Sequence, residues 1–100
     1  MKQTIFNKYA NKVSEAYEIS TEQLFTKSKR RDIVDARQLL YFVCADRPMR
    51  VRYIQQYMEN KGYDVGHSSI IHGIGQVKER LEQDVDYQNF VDSIRSCVIL

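Results

Sequence analysis

Apolar residues recur along this chain at helical spacing, in blocks separated by short polar breaks. Over residues 3–18, Ile5, Tyr9, Val13 and Ala16 form a stripe, with Phe6 and Tyr17 beside it. That recurrence is the signature of an amphipathic helix. After Ile19, Ser20 is followed three residues on by Gln23. This is a capping-box arrangement, and it predicts a short helix over Thr21 to Phe25, anchored by Leu24 and Phe25. A third helix is predicted from Asp32, which acts as its N-cap or favours its positive end. In the run DIVDARQLLYFVCADR, residues Leu39, Leu40, Phe42, Val43 and Cys44 cover more than one helical face. A helix apolar on several faces belongs at the centre of a fold. Pro48 breaks it.

Val51, Ile54, Tyr57 and Met58 then predict a helix from about residue 51 to about residue 61. Gly62 suits its left-handed C-terminal cap. Residues 63–66 (YDVG) turn the chain into a second helix, Gly66 to Glu82. There Ile70, Ile74, Val77 and Leu81 share one face, and Ser68 and His72 fall opposite. Gly73 and Gly75 each weaken a helix by about 1 kcal/mol relative to Ala, so close packing or an approaching ligand has to explain them. Asp84 or Asp86 caps a last helix carrying Tyr87, Phe90, Val91, Ile94 and Val98. The expectation is one all-α domain over residues 1–100. It is a compact bundle of about six helices with a helix-turn-helix and a basic loop before its central helix.

Composition agrees with this. One Pro and four Gly leave little room for hairpins. No apolar run is long enough for a membrane span, and the N-terminus lacks the apolar stretch of a signal peptide. Cys44 and Cys97 lack metal or redox spacing and read as free thiols in a reducing compartment, with a disulfide between them as the alternative, so the expected location is cytoplasmic; nucleoid association is expected only with a DNA partner.

Charge adds more. The net charge is +2, but residues 27–52 carry eight basic and three acidic side chains, a local sum of +5. Residues 53–100 carry four basic and seven acidic ones, a sum of −3. Segregation of this kind points to an anionic partner at one face. Lys27, Lys29, Arg30 and Arg31 are the densest part, and Arg50 and Arg52 follow with no acid between them. Such side chains suit a phosphate backbone, where each neutralised phosphate releases counterions, or a narrow minor groove. A solvated loop or a targeting signal is the alternative for the first run. Arg37 and Gln38 have planar, multi-donor heads near that loop and can reach the same backbone.

Catalytic chemistry is not visible. His67 and His72 are five apart, a poor spacing for one metal ion on a helix. Ser68 and Ser69 lack a nucleophile elbow, and no phosphate-binding glycine loop occurs. No enzyme activity, cofactor or metal is expected. At a helix N-terminus, His67, Ser68, Ser69 and His72 instead offer short donors and acceptors to base edges and phosphates.

The order of these parts resembles the C-terminal DNA-binding domain of the bacterial replication initiator DnaA, in the Trp-repressor-like helix-turn-helix class. Gly66-His67-Ser68-Ser69-Ile70-Ile71-His72 is similar to that family's Asp-His-[Ser/Thr]-Thr-Val-x-His. Arg37-Gln38 matches its Arg-Gln, and VSEAYEISTEQLF (residues 13–25) resembles its opening helices. The likeness runs from about residue 5 to residue 96. It implies that Lys27, Lys29, Arg30 and Arg31 reach the minor groove and backbone, and that Arg37 and Gln38 hold phosphates. It further implies that His67, Ser68 and Ser69 face the major groove, with His72 close by. The implied partner is double-stranded DNA, bound at short asymmetric origin boxes by a monomer, with replication proteins as further partners.

The chain departs from the pattern at Val65-Gly66, where the family has Arg-Asp, and at Gly75 and Gln76, where it has basic residues. The turn before Gly66 is about four residues longer, and this chain has no ATPase domain. A domain of this kind could compete for initiator boxes, mark a phage or plasmid origin, or regulate transcription. The alternative is a protein-interaction module that kept the fold and lost origin-box specificity.

Overall fold

The computed structural model describes residues 2–97, and six helices follow one another with no strand among them. They are α1 (Lys2–Ala16), α2 (Thr21–Leu24), α3 (Arg31–Asp46), α4 (Val51–Asn60), α5 (His67–Gln83) and α6 (Val85–Cys97). The expectations on the thiol of Cys97 and on Val98 lie outside what is described.

The expected cap chemistry sets several boundaries. The amide of Gln23 donates to Ser20 Oγ at 3.1 Å, and the Ser20 amide donates to Gln23 Oε1 at 2.9 Å, so α2 opens on the complete capping box. Gly62 has φ +87°. Its amide donates to the Glu59 carbonyl at 2.8 Å and the Tyr63 amide to the Met58 carbonyl at 3.0 Å, the Schellman pair that closes α4. Asp84, not Asp86, caps α6: its carboxylate accepts from the Tyr87 amide at 3.0 Å. At α3 the boundary differs. Arg30 is the N-cap residue and Asp32 lies inside the first turn, where its negative charge still favours the helix end.

One hydrophobic cluster joins all six elements. α3 runs through it, burying Ile33, Ala36, Leu39, Leu40, Tyr41, Phe42, Val43 and Cys44. The inner face of α1 is Ile5, Phe6, Tyr9, Ala10 and Val13, while Ala16 is exposed. The 3.6-residue period puts Ala16 on the side of Ile5 and Tyr9, but it is the last residue of α1, where the chain turns away through Tyr17 and Glu18. α5 docks chiefly on α3 through Ile70, Gly73 and Val77. A β-carbon on Gly73 would lie 3.0 Å from Tyr41 Cδ2 and 3.1 Å from Gln38 Cγ, so glycine there permits the close helix contact. No such contact exists at Gly75. Six residues, Lys61 to Gly66, connect α4 to α5. This fixes a helix, turn, helix order in which the polar front of α5 faces away from the core.

Candidate nucleic-acid interface

The basic stretch before α3 is irregular from Thr26 to Arg30. A chain with so much like charge needs something to hold it, and Arg37 supplies that. Its side chain rises from the second turn of α3 and is 7% exposed. Nη1 donates to the Thr26 carbonyl at 2.6 Å and Nη2 to the Ser28 carbonyl at 2.8 Å. Two backbone acceptors, two donors and a fixed fork make a tether that lysine could not copy. Arg37 was expected to hold phosphate. The structure instead commits two of its donors to the loop backbone.

Tyr63 completes the clamp. The guanidinium carbon of Arg37 lies 4.8 Å from its ring centroid and the Lys27 Nζ lies 4.3 Å from it. Lys27 also donates to the Asp64 carbonyl. Cation–aromatic contacts of this kind contribute about 0.5–1 kcal/mol each at exposed sites. The loop is thereby joined to α3 by Arg37 and to the α4–α5 turn by Lys27. Gln55 Nε2 adds a bond to the Val65 carbonyl at 2.9 Å, fixing the turn from the α4 side.

A groove of about 430 Å³ opens beside this clamp. It gathers many of the expected residues: Lys27, Arg37, Gln38, Ser68, Ser69 and His72 all line it, with Tyr41, Tyr63 and Gly66. The serines and His72 are exposed. The burial of Tyr41 raises its phenol well above the ordinary range, so it stays a neutral wall.

The other expected residues lie outside this groove. His67 is exposed at the first position of α5. Lys29 is exposed, with no acid paired to it among the described residues. Arg30 forms a two-point pair with Asp32 at 3.0 and 2.8 Å, which holds that carboxyl below its usual range. Arg31 approaches Asp35 at 3.4 Å, and Arg80 reaches the same carboxylate at 3.9 Å. Arg31 and Gln38 border a second hollow of about 160 Å³ with Gln76 and Arg80. Arg50 is the N-cap residue of α4. Arg52 bonds the Tyr53 hydroxyl at 3.2 Å and so lowers its pKa.

Sequence reasoning missed Tyr63, which reads there as an ordinary turn residue. It also missed Ile71, which lies among the polar residues of α5 and is 58% exposed. The only sequence signal for Tyr63 was an aromatic residue directly after a C-terminal glycine cap.

These features define an all-α helix-turn-helix protein with a basic loop locked beside the front of its outer helix. No family model matches the chain. It is 27% identical over 81 residues to the chromosomal replication initiator protein DnaA of Lachnoclostridium phytofermentans, covering 80% of this chain and 17% of that protein. It is 29% identical over 85 residues to DnaA of Flavobacterium psychrophilum, covering 82% of this chain and 16% of that protein. The chain is thus a distant homologue of DnaA, matched to a short C-terminal segment of it. It spans less than a fifth of the length of these relatives. No described helix is long and apolar enough to cross a membrane.

Proposed function

We propose that residues 1–100 act as a single sequence-specific, double-stranded-DNA-binding domain, monomeric on its site, in replication initiation or its regulation. The observation that carries this is the shared groove, where the clamped basic loop meets Ser68, Ser69 and His72. The first two turns of α5 offer exposed hydroxyls and imidazoles, and its first turn adds unpaired backbone N–H groups. That is the equipment for base edges and phosphates. Lys29, Arg30 and Arg31 supply backbone affinity, with Arg50 and Arg52 as a second cationic group. Arg37 acts through the loop that it holds, and Gln38 sits beneath α5 at the groove floor. The DnaA homology supports the same reading. The bound DNA is proposed to be an origin-type box, and the departures at Gly66, Gly75 and Gln76 favour a box different from that of the initiators.

A mobility-shift titration tests this. Lys29→Ala should weaken binding to every duplex alike and lower the salt slope by about 0.9. Ser68→Ala should instead cost about 1–3 kcal/mol of discrimination at one base position.

A second reading is a protein-interaction module. Pairing of Arg30 with Asp32 and of Arg31 with Asp35 favours it, because it reduces the loop's positive field. Absence of duplex binding at low salt, with a stable and salt-insensitive protein partner, would select that reading.

A further inference from the structure

Over its first two turns α5 shows one stripe to solvent: Ser68, Ile71, His72 and Gly75, at i, i+3, i+4 and i+7. Three of the four are polar or lack a side chain. Ile71 is neither. It is 58% exposed, while Ile70 beside it is fully buried. Among the described residues, Val85 at the start of α6 is the other large hydrophobic side chain so exposed. A scattered surface hydrophobe is ordinary. Ile71, however, lies within the polar stripe, and the next turn beneath it is Gly75, where an added β-carbon would meet nothing within 4 Å. The stripe therefore passes from an apolar side chain to bare backbone. Beyond it the same face carries exposed Glu79 and Glu82, which repel phosphate. A duplex can engage α5 over about 10 Å, from Ser68 to Gly75 at about 1.5 Å per residue.

The base edges of a major groove are donors and acceptors, with one apolar group among them, the pyrimidine C5-methyl. We propose that Ile71 is a specificity-determining residue that packs on such a methyl, with Gly75 giving the adjoining base pair room to approach. The methyl belongs to thymine or to 5-methylcytosine. This inference rests on the DNA-binding reading of α5.

The test is a cycle between protein and base. A duplex recovered by selection from a random pool is remade with each thymine replaced in turn by uracil, which removes only the methyl. A second set replaces each cytosine by 5-methylcytosine. Both sets are titrated against the full chain and against Ile71→Ala, whose melting temperature should match the parent because the side chain is exposed. At one thymine the parent should lose about 4-fold in affinity, the value of one buried methyl, and Ile71→Ala should lose nothing further. A gain at one 5-methylcytosine that vanishes in Ile71→Ala would support the proposal with that base as the source. Methyl effects that persist unchanged in Ile71→Ala, or no methyl effect in the parent, would overturn it while leaving DNA binding intact. Failure of the parent to retain any duplex at low salt would remove both readings.

Discussion

Arg37 and Tyr63 are stacked across the junction between α3 and the α4–α5 turn, with the guanidinium carbon 4.8 Å from the ring centroid. The same guanidinium holds the Thr26 and Ser28 carbonyls. One buried cation thus fixes the basic loop relative to the front of α5. Arg37→Lys keeps the charge but loses the two-point geometry. It should destabilise the fold by about 1.5–3 kcal/mol in urea unfolding, the range for hydrogen bonds to a charged group. Tyr63→Leu should cost less stability but speed hydrogen exchange at the amides of residues 26–30.

Glu18 has φ +55°, in the left-handed region, where it closes α1. The Ile19 amide reaches the Ser14 carbonyl at 3.0 Å and the Glu18 amide the Glu15 carbonyl at 3.1 Å, the pattern seen again at Gly62. An L side chain there is strained by about 1–2 kcal/mol. Glu18→Gly should raise stability by about 0.5–1 kcal/mol, because the gain is partly offset by the freedom of glycine in the unfolded chain. Thermal unfolding checks it.

The two helical glycines of α5 should respond in opposite directions. Gly75 is exposed with open space around it, so Gly75→Ala should stabilise by about 0.5–1 kcal/mol through helix propensity. Gly73 faces the Tyr41 ring and Gln38, so Gly73→Leu should force α5 away from α3 and destabilise by about 1–3 kcal/mol. Denaturant midpoints at unchanged slope would show both effects.

Cys44 is a free, fully buried thiol, and burial pushes its pKa well above the ordinary thiol range. It should resist alkylation in the native protein at neutral pH and react only on unfolding. Peptide mass mapping after a pulse of iodoacetamide reads this out at that residue.

Much of the fold was legible because its signals are local. The Ser20–Gln23 box, the glycine at Gly62 and the apolar stripe of α5 each lie within one turn or helix, and each marks the expected element. The site was legible in its residues more than in their jobs. Arg37 stood out as a cation in an apolar helix, but its partners lie 11 and 9 residues away in sequence. The contact of Lys27 with Asp64 spans 37 positions. No periodicity reports such pairings, so two expected phosphate ligands are found holding the loop and the turn. Exposure is equally non-local. Ile70 and Ile71 are identical letters, and only the direction of docking on α3 decides that one is core and the other is presented to solvent.

On the proposed reading, the groove beside the Arg37–Tyr63 clamp reads duplex DNA. Selection of bound duplexes from a random pool by the full chain, at about 50 mM and about 200 mM salt, tests it most directly. One short, non-palindromic motif should be enriched, with retention falling steeply as salt rises. No retained duplex at the lower salt, or retention with no enriched motif, would contradict it.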